Sequence, residues 1–176
     1  MTVHEELDDF ELVVEQLEEA ARLASIDSPL KCRRALILLD NLAEILIYRF
    51  CRERYREDFA FVHALPPKLS RSRWFEVLDG YPERLNACHS KFDLINRTDW
   101  PILRIGHRYR NASYHRDFHN KAALTILAKL MQEAVCRLFS SVHANGRSVG
   151  ESLYERTGFL APYGLQNEIL RKHRPP

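Results

Sequence analysis

The sequence lacks the features that mark membrane-embedded and secreted proteins. No stretch reaches the roughly 18 consecutive apolar residues that a membrane-spanning helix needs. The first twenty residues are acidic, whereas a secretory signal peptide is basic and then apolar. We therefore expect a cytoplasmic protein with no membrane partner.

Paired cysteines and the common ligand-binding motifs are also absent. The four cysteines stand singly, without a Cys-x-x-Cys pair, and each falls in a predicted helix, which favours buried, reduced thiols. There is no P-loop, no Gly-x-Gly-x-x-Gly, no Gly-x-Ser-x-Gly and no His-Glu-x-x-His. His107, His115 and His119 could form a metal-binding face, but His119 falls after the predicted helix. We expect neither a metal nor a cofactor.

Charge is almost balanced overall but unevenly distributed. The formal net charge of +2 is too small to indicate nucleic-acid binding by itself. Residues 5–19 carry many carboxylates and no basic residue, whereas arginines recur from residue 49 onward. An acidic first helix beside basic later ones can mean an internal charge match, a dimer contact or a guard over a basic groove.

Hydrophobic periodicity predicts an all-α fold. We expect an up-and-down bundle of four main helices over residues 3–24, 29–57, 99–115 and 121–143, within one domain of residues 1–145. A shorter helical insert separates the second and third of these helices. Residues 146–176 contain several glycines and prolines and are interpreted as a C-terminal tail that packs on the domain or on a partner.

The second predicted helix is apolar nearly all round, which places it at the centre of the bundle. Asp40, Glu44 and Tyr48 lie four residues apart on one line of this helix. Because a buried acid is costly unless it is paired, we expect Asp40 or Glu44 to meet a cation from residues 104–116. The alternative is that this polar line faces solvent.

The insert contains basic and aromatic residues close together, namely Lys68, Arg71, Arg73 and Trp74. Such a combination can bind single-stranded RNA by charge and stacking. Packing of these side chains at the surface of the domain is the alternative.

The third main helix carries two different stripes. The apolar stripe, which we expect to pack into the bundle, comprises Ile102, Ile105, Tyr109 and Ala112. The opposite stripe comprises Arg104, Arg108, Asn111 and His115. On this assignment neither Arg110 nor His115 contributes to the core. A charged, solvated helix end is the alternative interpretation of the second stripe.

The chemistry at the end of this helix suits a phosphodiester. Asn111 and His115 are four residues apart, so the amide can bond one ring nitrogen of His115 and fix its tautomer. Arginine stabilises charge on phosphate oxygens, and histidine transfers protons near neutral pH. Arg110 and His115 therefore form a candidate acid–base and charge-stabilising pair.

Arg110-Asn111, three further residues and His115 resemble the Arg-Asn-x-x-x-His motif of HEPN domains, over roughly residues 28–143. These are small all-helical domains, and many are metal-independent endoribonucleases of toxin and defence systems. The resemblance implies catalytic roles for Arg110, Asn111 and His115. It also implies a homodimer that cleaves RNA, and a toxin of this kind has an antitoxin or another protein as partner.

Further residues are expected to support this motif. Asp40 or Glu44 would orient Arg110 or His115, and Tyr114 is a third supporting candidate. The arginines expected to bind RNA are Arg104, Arg108 and Arg116. The alternative is a non-catalytic HEPN-like module for dimerisation or for binding a nucleotide or partner, which burial of His115 in a monomer core would favour.

Overall fold

The computed structural model describes residues 3–59, 66–113 and 121–145, with side chains described for residues 12–59, 66–112 and 122–143. Within these ranges the chain forms six helices and no strand. They are α1 (Val3–Ser25), α2 (Pro29–Phe59), α3 (Arg71–Asp79), α4 (Tyr81–Ser90), α5 (Asp99–Ser113) and α6 (Lys121–Asn145). None of the described helices combines the length and apolar character needed to cross a membrane.

The predicted all-α class is confirmed, and the predicted bounds of the first, second and last main helices differ from the observed ones by at most two residues. The predicted insert corresponds to α3 and α4. The expected extension of the third main helix to residue 115 lies outside the described residues, as does the predicted tail of residues 146–176.

Helix α2 is the centre of the fold, as its apolar sequence predicts. It packs against α1 and α6 over much of its length and also contacts α3, α4 and α5. Its fully buried side chains include Leu36, Leu39, Leu42, Leu46 and Ile47. Burial of most of this stretch follows from the sequence, because nearly every position between residues 35 and 47 is apolar, although Ile45 is 39% exposed.

The cysteines are free and buried, as predicted. Cys51 on α2 and Cys88 on α4 lie with their Sγ atoms 3.5 Å apart. The hydrogen bond with Cys51, together with burial, raises the pKa of the Cys88 thiol well above its ordinary value. Both thiols contribute to packing between α2 and α4, and the raised pKa makes the Cys88 thiol a poor nucleophile.

The hypothesis that Trp74 stacks on RNA is wrong. Trp74 is fully buried, its Nε1 donates to Asp58 Oδ2 at 2.8 Å, and its ring stacks on Phe92 with centroids 5.5 Å apart. Arg71 lies over the ring of Phe59, 5.1 Å from its centroid. The indole of Trp74 buries a large apolar surface and satisfies its one polar group with Asp58. It therefore anchors the insert to α2 and is not accessible to a ligand.

Helix α5 is held against α6 at two points. Near its start, buried Asp99 accepts two hydrogen bonds from Arg137, at 2.7 Å from Nη2 and 2.9 Å from Nε. Farther along, a Cβ added to Gly106 would lie 2.3 Å from Met131 Sδ. The missing side chain of Gly106 therefore allows the two helices to approach closely, and the ion pair fixes the position of α5 along α6.

The predicted apolar stripe of α5 is wrong at its centre, because the side chain of Ile105 is 51% exposed. The face that turns inward instead carries Asp99, Leu103, Gly106, His107 and Arg110. Polar groups can lie on that face because each ion pair or hydrogen bond offsets the cost of burial. The inward face of α5 is thus a mixed polar surface directed at α2 and α6.

Candidate functional site

Arg110 is fixed against α2 rather than solvated. Its Nε lies 2.8 Å from Asp40 Oδ2, its Nη1 donates to Asn41 Oδ1 at 3.0 Å, and its Nη2 lies 3.5 Å from Glu44 Oε2. The side chain is 18% exposed. A planar guanidinium that meets three acceptors has little rotational freedom, so α2 determines where this charge lies.

Asp40 is the carboxylate around which this cluster forms. It is fully buried, and its Oδ2 also lies 3.1 Å from His107 Nδ1. An arginine and a histidine of α5 are therefore within hydrogen-bond reach, as we expect for an acid in so apolar a helix. The alternative interpretation, in which the polar residues of α2 face solvent, is wrong for Asp40.

The polar residues Glu44 and Tyr48 of α2 also contact a second guanidinium, that of Arg84. Arg84 of α4 places Nη2 3.5 Å from Glu44 Oε1, and its guanidinium lies over the Tyr48 ring at 5.4 Å from the centroid. Arg84 is buried, and its Nη1 donates to the carbonyl oxygen of Leu78 at 2.8 Å. Glu44 is thus shared between two arginines, which joins α2, α4 and α5 in one polar cluster.

His107 and Asn111 extend the cluster towards the surface. His107 Nε2 lies 3.1 Å from Asn111 Nδ2, while its other ring nitrogen faces Asp40. Asn111 is exposed. A continuous line of hydrogen bonds therefore runs from a buried carboxylate on α2 to an amide on the outer face of α5.

Tyr81, the first residue of α4, covers the His107 ring. The two rings lie with centroids 4.2 Å apart and planes inclined by 31°. Burial, and then the charges of Asp40 and Glu44, raise the pKa of Tyr81, so its hydroxyl stays protonated. That hydroxyl is buried and has no hydrogen-bond partner among the described residues.

Tyr81→Phe is expected to leave the free energy of unfolding unchanged or raise it by up to about 1 kcal/mol, because it removes a buried polar group without breaking a hydrogen bond. Urea denaturation measures this change. Tyr81→Ala is the matched comparison, since it also removes the ring that packs on His107 and should cost about 3–5 kcal/mol. A loss above about 1 kcal/mol in Tyr81→Phe would show that the hydroxyl has a partner.

The cluster also contains a set of side chains able to ligate a metal. The ligand atoms of Asp40, Glu44 and His107 lie within 4.8 Å of one another. Arg110, however, lies 2.8 Å from Asp40 and 3.5 Å from Glu44 and already supplies positive charge there. A divalent ion at this place would have to displace the guanidinium, so the donor set fits an arginine better than a metal.

The predicted site residues are distributed over two faces of α5. Arg110 lies inward, whereas Arg104, Arg108 and Asn111 are exposed. Arg104 stacks on the Trp100 ring, 4.5 Å from its centroid. The remaining predicted residues, Tyr114, His115 and Arg116, lie outside the described residues.

Two members of the cluster, His107 and Arg84, were not predicted from the sequence to belong to the site. Arg84 follows Tyr81 by three residues and precedes Cys88 by four, so it shares the apolar face of a short helix. His107 follows buried Leu103 by four residues and precedes Arg110 by three, so it shares the inward face of α5. A polar residue at core spacing is the signal that identifies both.

Comparison of the chain with protein-family models, with curated proteins and with solved structures finds no match.

Proposed function

We propose that this protein is a HEPN-like, metal-independent endoribonuclease of the toxin or defence type, acting in the cytoplasm. The observation that carries the proposal is the fixed position of Arg110. The arginine of the Arg-Asn-x-x-x-His motif is ion-paired with Asp40 and hydrogen-bonded to Asn41, while Arg104, Arg108 and Asn111 on the same helix are exposed. A positioned guanidinium beside an exposed cationic face suits a phosphodiester substrate.

In the proposed mechanism the ribose 2′-OH attacks the adjacent phosphorus. His115 accepts the proton of that hydroxyl or protonates the leaving 5′-oxygen. Arg110 stabilises the charge that develops on the phosphoryl oxygens. Because α2 holds the guanidinium in place before the reaction, little reorganisation accompanies this stabilisation. Asn111 positions His115, Asp40 and Glu44 position Arg110, and Tyr114 supports the motif.

RNA binding is assigned to the exposed arginines of α5 and to Arg116. Arg104, Arg108 and Arg116 are proposed to contact phosphates of the RNA backbone. Such contacts depend on charge and not on base identity, so they hold the substrate without selecting a sequence.

The active form is proposed to be a homodimer in which two Arg110–His115 sets face a shared cleft, and each protomer is an up-and-down bundle of α1, α2, α5 and α6. Exposed apolar residues on two neighbouring helices support a partner: Ile105 on α5 is 51% exposed, and Ile126 and Leu130 on α6 are 59% and 39% exposed. An antitoxin or another protein is the further partner that a toxin of this type requires.

Light scattering at tens of micromolar is expected to give the mass of a dimer. Ile105→Asp should shift the protein towards monomer, since a charge in an apolar interface costs several kcal/mol. Phe75→Asp on α3 is the matched control, because Phe75 is similarly exposed at 61% and lies on another helix. A wild-type protein that is monomeric at these concentrations contradicts the dimer.

The second candidate is a non-catalytic module that binds a nucleotide or a protein partner. The observation that favours it is the pairing of Arg110 with two carboxylates, which offsets the charge a phosphate would meet. In that case the polar cluster is structural, and the exposed arginines bind a ligand without cleaving it.

The test is an RNase assay on the purified protein in EDTA. Cleavage should persist and leave a 2′,3′-cyclic phosphate and a 5′-hydroxyl, because the proposed nucleophile belongs to the RNA and needs only a proton acceptor. DNA of the same sequence, which lacks the 2′-OH, should remain intact. RNA binding without cleavage would leave the module as the better account, and cleavage only with added divalent ions would overturn the metal-independent mechanism.

A further inference from the structure

Two contacts of the His107 ring, one with Asp40 and one with Asn111, indicate which ring nitrogen carries the proton. Asp40 is ion-paired with Arg110 at 2.8 Å, and a carboxylate can only accept hydrogen bonds. His107 Nδ1, at 3.1 Å from Asp40 Oδ2, must then carry a proton.

The atom that lies 3.1 Å from His107 Nε2 is Asn111 Nδ2. An amide nitrogen can only donate, so Nε2 accepts this hydrogen bond through its lone pair. The two polar atoms of a carboxamide point in different directions, so fixing Nδ2 towards His107 turns Oδ1 away from it. The exposed amide thus presents an acceptor.

We propose that His107 is a positioning residue that fixes the Asn111 amide with its nitrogen inward and its oxygen outward. The inference deepens the proposed ribonuclease function and rests on it. With Nδ2 occupied by His107, Asn111 can orient a catalytic group only through Oδ1. A group that Asn111 orients must therefore donate a hydrogen bond to this oxygen. The Tyr81 ring, whose centroid lies 4.2 Å from that of the His107 ring, packs on the imidazole and restricts its rotation away from Asp40 and Asn111.

Nuclear magnetic resonance of isotope-labelled protein tests the arrangement without any substrate. At neutral pH the His107 ring should be the Nδ1–H tautomer, and a scalar coupling across the hydrogen bond should connect Asn111 Nδ2 with His107 Nε2. A protonated Nε2, or a missing coupling, overturns the proposal. His89, whose Nδ1 faces the Ile95 carbonyl oxygen at 2.8 Å, provides an internal reference for a ring held in the same tautomer.

Two substitutions separate the two bonds of the His107 ring. His107→Asn keeps a donor near Asp40 but no longer reaches Asn111, so kcat should fall about 10- to 100-fold with KM unchanged, as expected when a reacting group is misplaced. His107→Gln places a carboxamide oxygen near the position of Nε2 and should recover part of kcat. His89→Asn is the matched control and should keep wild-type kcat.

The outcomes distinguish this proposal from the proposed function. Wild-type kcat in His107→Asn overturns the positioning role. A drop in kcat that His107→Gln does not relieve also overturns it, since a general loss of packing would affect both variants alike. If the wild-type protein cleaves no RNA, the ribonuclease proposal fails, and the tautomer and the coupling decide the positioning proposal alone.

Discussion

Asp40→Ala is expected to lower the free energy of unfolding by about 3–5 kcal/mol, because it leaves a largely buried guanidinium without the buried carboxylate that it pairs with. Asp40 is fully buried and its Oδ2 meets both Arg110 and His107. Removing Asp40 leaves Arg110 and His107 of α5 next to an apolar helix without this acceptor. Asn41 and Glu44 replace only part of the lost interaction. Urea denaturation followed by circular dichroism measures the loss.

Glu53→Ala is the matched control, since Glu53 lies on the same helix and is exposed. It should change the stability by no more than about 0.5 kcal/mol. The double variant Asp40→Leu with Arg110→Met should be more stable than Asp40→Ala, because replacing both members of a buried ion pair removes the uncompensated charge. A loss below about 1 kcal/mol in Asp40→Ala would mean that the cluster is solvated and contributes little.

The positions of the helices could be predicted because the determining signals are local. Pro29 after Ser28, Gly80 before α4 and the apolar run of α2 act over a few residues, so the bounds follow from the sequence. The buried acid at Asp40 was predictable for the same reason, since its apolar neighbours on the helix indicate burial and burial requires a partner.

The inward face of α5 could not be predicted in this way. The hydrophobic pattern predicts that the stripe through Ile102 and Ile105 turns inward. Which face of α5 packs inward, however, depends on the side chains that α2 and α6 present to it. The glycine at position 106 does not by itself indicate which face of α5 turns inward. Its role becomes clear only from the close approach of Met131 on α6. A face that buries His107 and Arg110 is stable only when Asp40 lies opposite, and that pairing joins residues about 70 positions apart.

This difference changes what is expected of the Arg110 variants. Arg110 was predicted to lie off the core, so that Arg110→Ala would remain folded. Because it is bonded to Asp40 and Asn41, Arg110→Ala should instead destabilise the fold, so loss of activity in that variant would not identify a catalytic role. Arg110→Lys keeps the positive charge near Asp40 and is the better variant for kinetics.

His115→Ala and Arg110→Lys are each expected to reduce kcat for RNA cleavage by at least about 10²-fold, the scale typical of one acid–base or charge-stabilising group. In His115→Ala the 2′-OH loses its proton acceptor. In Arg110→Lys a single ammonium replaces the planar fork that α2 holds through Asp40 and Asn41, so the charge on the phosphoryl oxygens is no longer met in the same geometry. Single-turnover assays in EDTA measure both losses.

Circular dichroism and urea denaturation must show that both variants remain folded before their rates are interpreted. Arg97→Lys is the matched control for the arginine, because Arg97 is exposed in the connection before α5, and it should cleave RNA at the wild-type rate. If folded His115→Ala retains full activity, then His115 is not the acid–base group. If folded Arg110→Lys retains full activity, then the guanidinium fork held by Asp40 and Asn41 serves the fold alone, and Arg110 is not the charge-stabilising group of the cleavage reaction.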